Sequence, residues 1–404
     1  MSKTSLQRFQ VVDRGILNWL KNVGLRLALK FCKNRDKNLW VFGAWEGLKY
    51  SDNSKYLFEH IIKNHKNIKC IWVTKARCVY DNLNFKGYPC VLIGTKEWKE
   101  VMLKAGACFY TNGLDDFGDI NWGLGAKFIL LMHGVGFKEI GLERPIRSNK
   151  NTILRSIKKI KYFCYWHMFA DYYITTSEYM RRKLSRQFYN VDINKVFITG
   201  QPRNDVLKTD CSGKNELTIV YMPTYRNNFD SAQKLENIIT DLAYDNELKE
   251  ILVKHNIKFY VKLHYLSRKP ELKNNSNIYI YADNECSDVQ KMLLETKVLI
   301  TDYSSVANDF ALLNRPVVFF PFDKDIYLEE EGISPEYNDI LISNTTAYDV
   351  KKLCKILENV LLDPNVAIPT LEKINCYFND NGLVVGEFSE NVYKTIYEQI
   401  NYRK

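Results

Sequence analysis

The stretch KVLITDYSSVANDFALLNRPVVFFPF (297–322) reads as strand, helix, strand. KVLITD (297–302) and PVVFFPF (316–322) are short runs of β-branched and aromatic residues, and 304–313 between them has the length and pattern of a helix. A strand that returns through a helix to a second strand makes a parallel pair. The same alternation extends upstream through LTIVYMPT (217–224), IKFYVKLH (257–264) and NIYIYA (277–282), with helices expected at 233–254 and 286–296. It recurs in the first half: NLWVFGAW (38–45), a helix at 52–64, IKCIWVTK (68–75), YPCVLIG (88–94), ACFYTNG (107–113) and AKFILLMHG (126–134). DYYITTS (171–177) and KVFITG (195–200) then bracket a helix at 178–189. Near 205–216 the chain turns polar, as a linker does. The expected architecture is α/β: two Rossmann-like domains, 40–210 and 211–404, facing one another, with ligand groups at the carboxyl ends of parallel strands. The segment from about 365 reads as helical and is expected to pack back across the domain junction.

The 404 residues are 46% hydrophobic and 26% charged, a balance that excludes a disordered or collagen-like chain. Ten cysteines are scattered without a C-x-x-C, so they read as reduced, small core residues, and no metal-ligand cluster is evident. The net charge of +10 favours anionic partners. Most of it lies in residues 1–39, where nine cations (Lys3, Arg8, Arg14, Lys21, Arg26, Lys30, Lys33, Arg35, Lys37) face two anions, Asp13 and Asp36. These are interleaved with Ile16, Leu17, Trp19, Leu20, Val23, Leu25, Leu27, Leu29 and Phe31. No apolar run there is long enough to span a bilayer, and none reads as a signal peptide. Two readings fit: a helix on an anionic membrane surface, or a helix packed on the protein's own core. A nucleic-acid-binding protein would also be basic, but here the aromatics fall mainly in expected strands, as core residues do, and no nucleic-acid partner is expected.

Five polar clusters follow expected strands. His133-Gly134-Val135-Gly136-Phe137-Lys138 offers a residue that titrates near neutrality, followed by glycines that let backbone amides approach an anion. It completes neither a G-x-G-x-x-G nor a Walker pattern. Gly200-Gln201-Pro202-Arg203-Asn204-Asp205 presents an arginine suited to phosphate, unless Arg203 is paired with Asp205 to stiffen the linker. Met222-Pro223-Thr224-Tyr225-Arg226 and Lys262-Leu263-His264 end two further strands. In TDYSSVANDF (301–310), Asp302, Ser304, Ser305 and Asp309 stand where a strand enters a helix, and hydroxyls and free amides there suit an anion. Ser304 or Ser305 as a simple helix cap is compatible with that role.

In order and spacing these motifs resemble the CDP-glycerol glycerophosphotransferase family, the teichoic acid polymerases and primases. The resemblance runs from WVFGAWEGLKYSDNSKYLFEHI (40–61) through the HG motif, TTSEYMRRKL (175–184), GQPRNDVL (200–207), MPTYR, KLH and LITDYSSVANDFALLNRPVVFFPFD (299–323) to NDNG (379–382). It implies a GT-B fold and peripheral association with the cytoplasmic membrane face of a bacterium. The implied activity moves a polyol phosphate, usually glycerol phosphate, from a CDP-activated donor to a lipid-linked or polymeric acceptor of teichoic acid or capsule, releasing CMP. By motif, His133 matches the proposed base and Gly134, Val135, Gly136 and Phe137 line the donor site. Arg203, Pro223, Thr224, Lys262, Leu263, His264, Ser304, Ser305 and Asp309 match other donor-binding positions, with Lys138 and Arg226 as further candidates. The family usually reads Thr-Pro-Leu-Lys after His-Gly, where this chain has Val135-Gly136-Phe137-Lys138. Tyr265 replaces a usual proline, and Asn227 a usual aspartate. These departures bear on the acceptor and the polyol.

The expected mechanism has His133 as general base on the acceptor hydroxyl. His264, Arg203, Lys262 and the Ser304-Ser305 turn stabilise the pyrophosphate and departing CMP, with no metal or other cofactor expected. Transfer from CDP-ribitol or another polyol donor, a nucleotide-sugar transferase of the same fold, and a non-catalytic membrane scaffold are the alternatives.

Overall fold

The structure, a computed structural model, describes residues 35–139, 170–187, 191–208, 218–264, 267–273, 275–281 and 289–402. The membrane reading of the amino terminus covers residues 1–39: residues 1–34 lie outside the described residues, and 35–39 depart from it, because a strand begins at Asp36 and Arg35 is tied to the Met102 carbonyl. The first sheet contains β1 (Asp36–Phe42), β2 (Lys69–Thr74), β3 (Cys90–Leu92), β4 (Ala105–Tyr110), β5 (Lys127–Leu130), β6 (Tyr172–Thr175) and β7 (Val196–Ile198). Between them come α1 (Asp52–Asn64), α2 (Arg77–Phe85), α3 (Lys96–Lys104) and α4 (Glu178–Gln187). Strand order is β3-β2-β1-β4-β5-β6-β7, and the recorded pairings are parallel. The second sheet has β8 (Thr218–Met222), β9 (Lys258–Val261), β10 (Ile278–Ile280), β11 (Val298–Thr301) and β12 (Val317–Phe319) in the order β10-β9-β8-β11-β12, again parallel. Helices α5 (Phe229–Tyr244), α6 (Asn246–Lys254), α7 (Val289–Glu295) and α8 (Val306–Ala311) lie between these strands in the chain. Then come α9 (Lys324–Glu331), α10 (Pro335–Leu341), α11 (Val350–Leu362), α12 (Ile368–Phe378) and α13 (Phe388–Asn401). The fold is α/β with two parallel sheets, as the strand-helix alternation indicated.

Both sheets reverse direction beside their first strand, between β1 and β4 and between β8 and β11. Open α/β sheets gather ligand groups outside the strand ends at such points, because the chain leaves to opposite sides there. By its contacts the chain forms two compact units. One holds the described residues up to His133, 170–173 and those from Tyr393 on; the other holds Gly134 onward and Ile174–Val392.

In the first unit the sheet is buried on both faces, so its strands read as near-continuous apolar runs. Trp40, Phe42, Phe109 and Trp72 are fully buried, and Phe42 stacks on Phe109 at 4.8 Å between ring centroids. Tyr393 packs 5.7 Å from Trp40. Arg35, counted above with the basic segment, belongs to this unit. Its guanidinium donates to the carbonyls of Met102, Ala105, Trp122 and Leu124, and β1 begins at the next residue.

In the second unit successive residues of one strand feed opposite faces, the period-two rule of a sheet. Val220, Leu299, Val317 and Phe319 join one apolar cluster; Ile219, Tyr221, Ile300 and Val318 join the other. The helix expected at 233–254 is two helices, because Asp245 turns extended and its carboxylate accepts the Leu248 amide at 2.7 Å to start α6. Helices α2 and α3 were not anticipated, although Thr95 caps α3 through the Trp98 amide. The six described cysteines are free thiols.

Candidate active site

In the first unit the strand ends converge on His133. Met132 ahead of it holds a left-handed φ of 60°, which lifts the histidine out of line with β5. Asn53, at the start of α1 and fully buried, donates its side-chain amide to the carbonyls of Leu131 at 3.1 Å and Met132 at 2.7 Å. The exposed His133 ring sits with Nδ1 3.4 Å from the Thr111 carbonyl. A carbonyl can only accept, so in the neutral ring Nδ1 carries the proton and Nε2 keeps its lone pair.

The Thr111 loop is in turn held by Asp116. One of its carboxylate oxygens accepts the amides of Thr111 at 3.0 Å and Asn112 at 3.3 Å; the other accepts the Glu46 amide at 2.6 Å. Burial pushes the Asp116 carboxyl up to about 6 against the pull of these amides. Trp45, Glu46 and Asp52 also have positive φ, so non-glycine backbone strain is concentrated beside the ends of β1 and β5. The Trp45 ring lies 6.5 Å from that of His133, with the Lys49 ammonium 5.1 Å over it. Asn53, Thr111 and Asp116 were not singled out in the sequence. Asn53 lies inside the quoted SDNSKY, but nothing in that stretch marks it as the donor to carbonyls of residues 131 and 132.

In the second unit Gly134 has φ 139°, and a methyl group there would lie 2.6 Å from Ser305 Oγ and 3.0 Å from an Arg203 Nη. Glycine is therefore required by backbone conformation and by close approach. The loop 134–137, the Ser305 turn and Arg203 are thus brought together. Among the described residues no acceptor meets the amides of Gly134, Val135, Gly136, Phe137, Ser304 or Ser305. A run of amides without intramolecular acceptors, beside an arginine, is a site for an oxyanion.

Arg203 is only 8% exposed and pairs with Asp309 at 2.6 Å. Asn204 takes the second Asp309 oxygen at 2.7 Å. Asp205 instead accepts the Phe388 and Ser389 amides at 2.8 and 2.9 Å, opening α13. Asp309, matched above to a donor-binding position, is buried and committed to holding Arg203 and Asn204. Ser304 Oγ accepts the Val306 amide at 3.4 Å, while Ser305, at the N-cap position of α8, makes no side-chain cap.

Arg226 differs from the anion-binding role expected of it. It is 3% exposed, and four of its N–H bonds are used: on Asp323 at 2.8 and 2.9 Å, on Asp302 at 2.8 Å and on the Thr224 carbonyl at 2.6 Å. Its guanidinium lies over the rings of Tyr327, Tyr303 and Phe322 at 4.8, 5.2 and 5.5 Å. Burial works against its charge, but Asp302 and Asp323 hold its pKa well above the usual arginine range. Asp302 also accepts the amides of Thr224 and Tyr303, so this cluster ties the end of β8 to the end of β11. Pro223 and Thr224 are buried at that junction, and the Thr224 hydroxyl has no partner among the described residues.

The side chains of Val135 and Phe137 point into the core, Phe137 against Tyr337 at 4.6 Å and Phe378 at 4.9 Å, so only their main chain can meet a ligand. Leu263 is likewise core. Lys138 reaches over the Tyr327 ring at 5.5 Å. Lys262 and His264 follow β9, the neighbour of β8, with the His264 ring 5.2 Å from that of Tyr225.

The family described as CDP-glycerol:poly(glycerophosphate) glycerophosphotransferase matches residues 25–398. The teichoic acid poly(ribitol-phosphate) polymerase of Bacillus spizizenii is 27% identical over 338 residues, covering 75% of this chain and 48% of the relative. The teichoic acid glycerol-phosphate transferase of Staphylococcus aureus is 26% identical over 336 residues, covering 77% of this chain and 82% of the relative. The chain thus spans about half the length of the first of these and most of the second. Among solved structures, the wall teichoic acid polymerase TagF superposes with a TM-score of 0.70 at 20% identity, covering 96% of this chain and 97% of that one. A UDP-N-acetylglucosamine 2-epimerase reaches 0.55 at 14% identity, covering 92% of this chain and 98% of that one, which is a likeness of fold. With the match spanning most of its length, the chain belongs to the CDP-glycerol:poly(glycerophosphate) glycerophosphotransferase family.

Proposed function

We propose that this protein transfers glycerol phosphate from CDP-glycerol to a hydroxyl of a lipid-linked or polymeric acceptor in a cell-envelope polymer, releasing CMP. The observation that carries the reading is the amide site of the second unit: Gly134–Phe137 and Ser304-Ser305, with Arg203 beside Gly134. Such a site suits a pyrophosphate, whose charge grows on the leaving CMP as the bond breaks. His133 directly precedes the loop in the chain, and with Nδ1 turned to the Thr111 carbonyl the base role is assigned to its Nε2.

In the reaction the acceptor oxygen attacks the phosphorus that carries glycerol. The acceptor proton passes to His133 Nε2, the bond from that phosphorus to the bridging oxygen breaks, and CMP departs with the electron pair. General-base assistance of this kind contributes about 10²–10⁴ in rate. Lys262 and His264 are assigned to the nucleotide phosphates, and Thr224 to the same donor. Arg226 and Asp309 are assigned to support of that site, and no metal is required by these groups.

The test is CMP release and product mass with CDP-glycerol, CDP-ribitol and UDP-sugars offered in parallel. CMP release with a product heavier by one or more glycerol phosphates supports the reading. Turnover of a UDP-sugar alone overturns it. In His133→Ala, transfer should be lost while donor binding persists; near-normal turnover removes His133 from the mechanism.

Residues 1–34 are assigned to an anionic membrane surface, on their interleaved cations and apolar residues. Full-length protein should co-sediment with phosphatidylglycerol vesicles and be released by salt. Equal binding to phosphatidylcholine vesicles would remove the electrostatic part of the assignment.

A further inference from the structure

Three consecutive carbonyls of the glycine loop are each held by a different element. Val135 O accepts from the Asn308 side chain of α8 at 2.6 Å, Gly136 O from the Lys183 ammonium of α4 at 3.3 Å, and Phe137 O from the Ser334 amide at 2.8 Å. Asn379 Nδ2 reaches the Asn308 carbonyl at 3.0 Å, bracing the residue that holds Val135. Lys183 is 1% exposed, an unusual place for an ammonium, since burying a charge is costly without compensation. Its nitrogen lies 5.8 Å over the Tyr179 ring. Glu336 is near it: burial works against that carboxylate, but a hydrogen bond from Tyr179 and the Lys183 charge help hold it below the usual range. TTSEYMRRKL carries Lys183, and nothing in the transfer chemistry above uses it.

We propose that Lys183 is a positioning residue for the phosphate-binding loop, its ammonium fixing the Gly136 carbonyl while Asn308 fixes that of Val135, so that the amides of the same two peptide units, those of Phe137 and Gly136, stay turned to the anion. A peptide unit carries its N–H and C=O on opposite sides, so holding the carbonyls on the protein side commits the amides to the other. The cation also sits behind the loop, where its charge adds to the attraction of an anion bound in front. The inference rests on the reading of this loop as the phosphate holder.

The test uses full-length protein with Lys183→Met, Lys183→Arg and Asn308→Leu. Inorganic pyrophosphate affinity is measured by calorimetry, KM for CDP-glycerol and for the acceptor separately, and folding by thermal melting. Lys183→Met should weaken pyrophosphate binding about tenfold and raise the donor KM in step, leaving the acceptor KM in place. Lys183→Arg, which keeps the charge and a donor, should recover part of the loss. A folded Lys183→Met with wild-type pyrophosphate affinity overturns the proposal, as does a wild-type protein that binds no pyrophosphate. If Lys183→Met does not fold, Asn308→Leu decides in the same way. Wild-type protein that binds pyrophosphate but releases no CMP from CDP-glycerol overturns the proposed function alone, and weaker pyrophosphate binding by Lys183→Met then still supports the clamp.

Discussion

Arg203 and Asp309, 106 residues apart in the chain, form a buried ion pair at 2.6 Å, and Asn204 closes the second carboxylate oxygen at 2.7 Å. The arginine beside Gly134 is therefore held by a carboxylate from α8, the helix that follows the Ser304-Ser305 turn. Anion site and scaffold share one helix.

Removing Asp309 leaves a buried guanidinium without its counter-charge, and breaking such a pair costs about 3–5 kcal/mol. Asp309→Ala should lower the urea midpoint accordingly and raise the KM for CDP-glycerol, because Arg203 loses its orientation. Unchanged donor KM in a folded Asp309→Ala would separate the pair from the site.

Arg226 calls for the opposite split. Its four hydrogen bonds end on Asp302, Asp323 and Thr224, inside the protein. Arg226→Met should strip two buried carboxylates of their partner and destabilise the fold by about 3–5 kcal/mol. Where residual folded protein can be assayed, its affinity for CDP should stay within a few-fold of wild type. A stable Arg226→Met that has lost CDP binding would return Arg226 to the ligand.

At Gly134 two effects add. Gly134→Ala sets a methyl 2.6 Å from Ser305 Oγ and holds alanine at φ 139°. Backbone strain of this type costs about 1–3 kcal/mol, so CDP-glycerol turnover should fall roughly 10- to 100-fold. Ser305→Ala added to it should not restore activity, because the dihedral penalty remains. Full recovery in the double variant would assign the whole effect to the steric contact.

Asp116 makes stability depend on pH. Its folded pKa is raised from 3.8 to about 6, so the folded state binds this proton more tightly than the unfolded state. Its contribution is therefore fully present below about pH 4 and is lost as pH rises through 6, a swing on the order of 3 kcal/mol. Urea unfolding between pH 4 and 7 should show this decline in wild type and not in Asp116→Asn. Parallel pH profiles for the two proteins would rule it out.

Much of the fold was legible in the chain, because strands buried on both faces leave near-continuous apolar runs and their helices leave a different period. Asp245 shows the limit: a capping side chain inside a long helical pattern splits it, and periodicity alone does not register that. Of the site, the loop and the Ser304-Ser305 turn could be proposed as an anion site from the chain, because glycines and hydroxyls at strand ends suit an anion as well as a turn or a cap. Asn53, Asp116 and Lys183 could not, because each acts on backbone groups contributed by other segments.

The β-α alternation, the two parallel sheets and the order of the polar motifs could be read from the residues alone, because all of them depend on neighbours along the chain. Which motif side chains are enclosed by the protein's own charges follows from the tertiary structure. Arg203 and Arg226 both follow a strand and a proline, yet Arg226 is enclosed by Asp302 and Asp323, 76 and 97 residues further on, while Arg203 stands beside Gly134 on the carboxylate of Asp309. An arginine's role follows from the charges that surround it in space, and those come from strands that meet only when the sheet has formed.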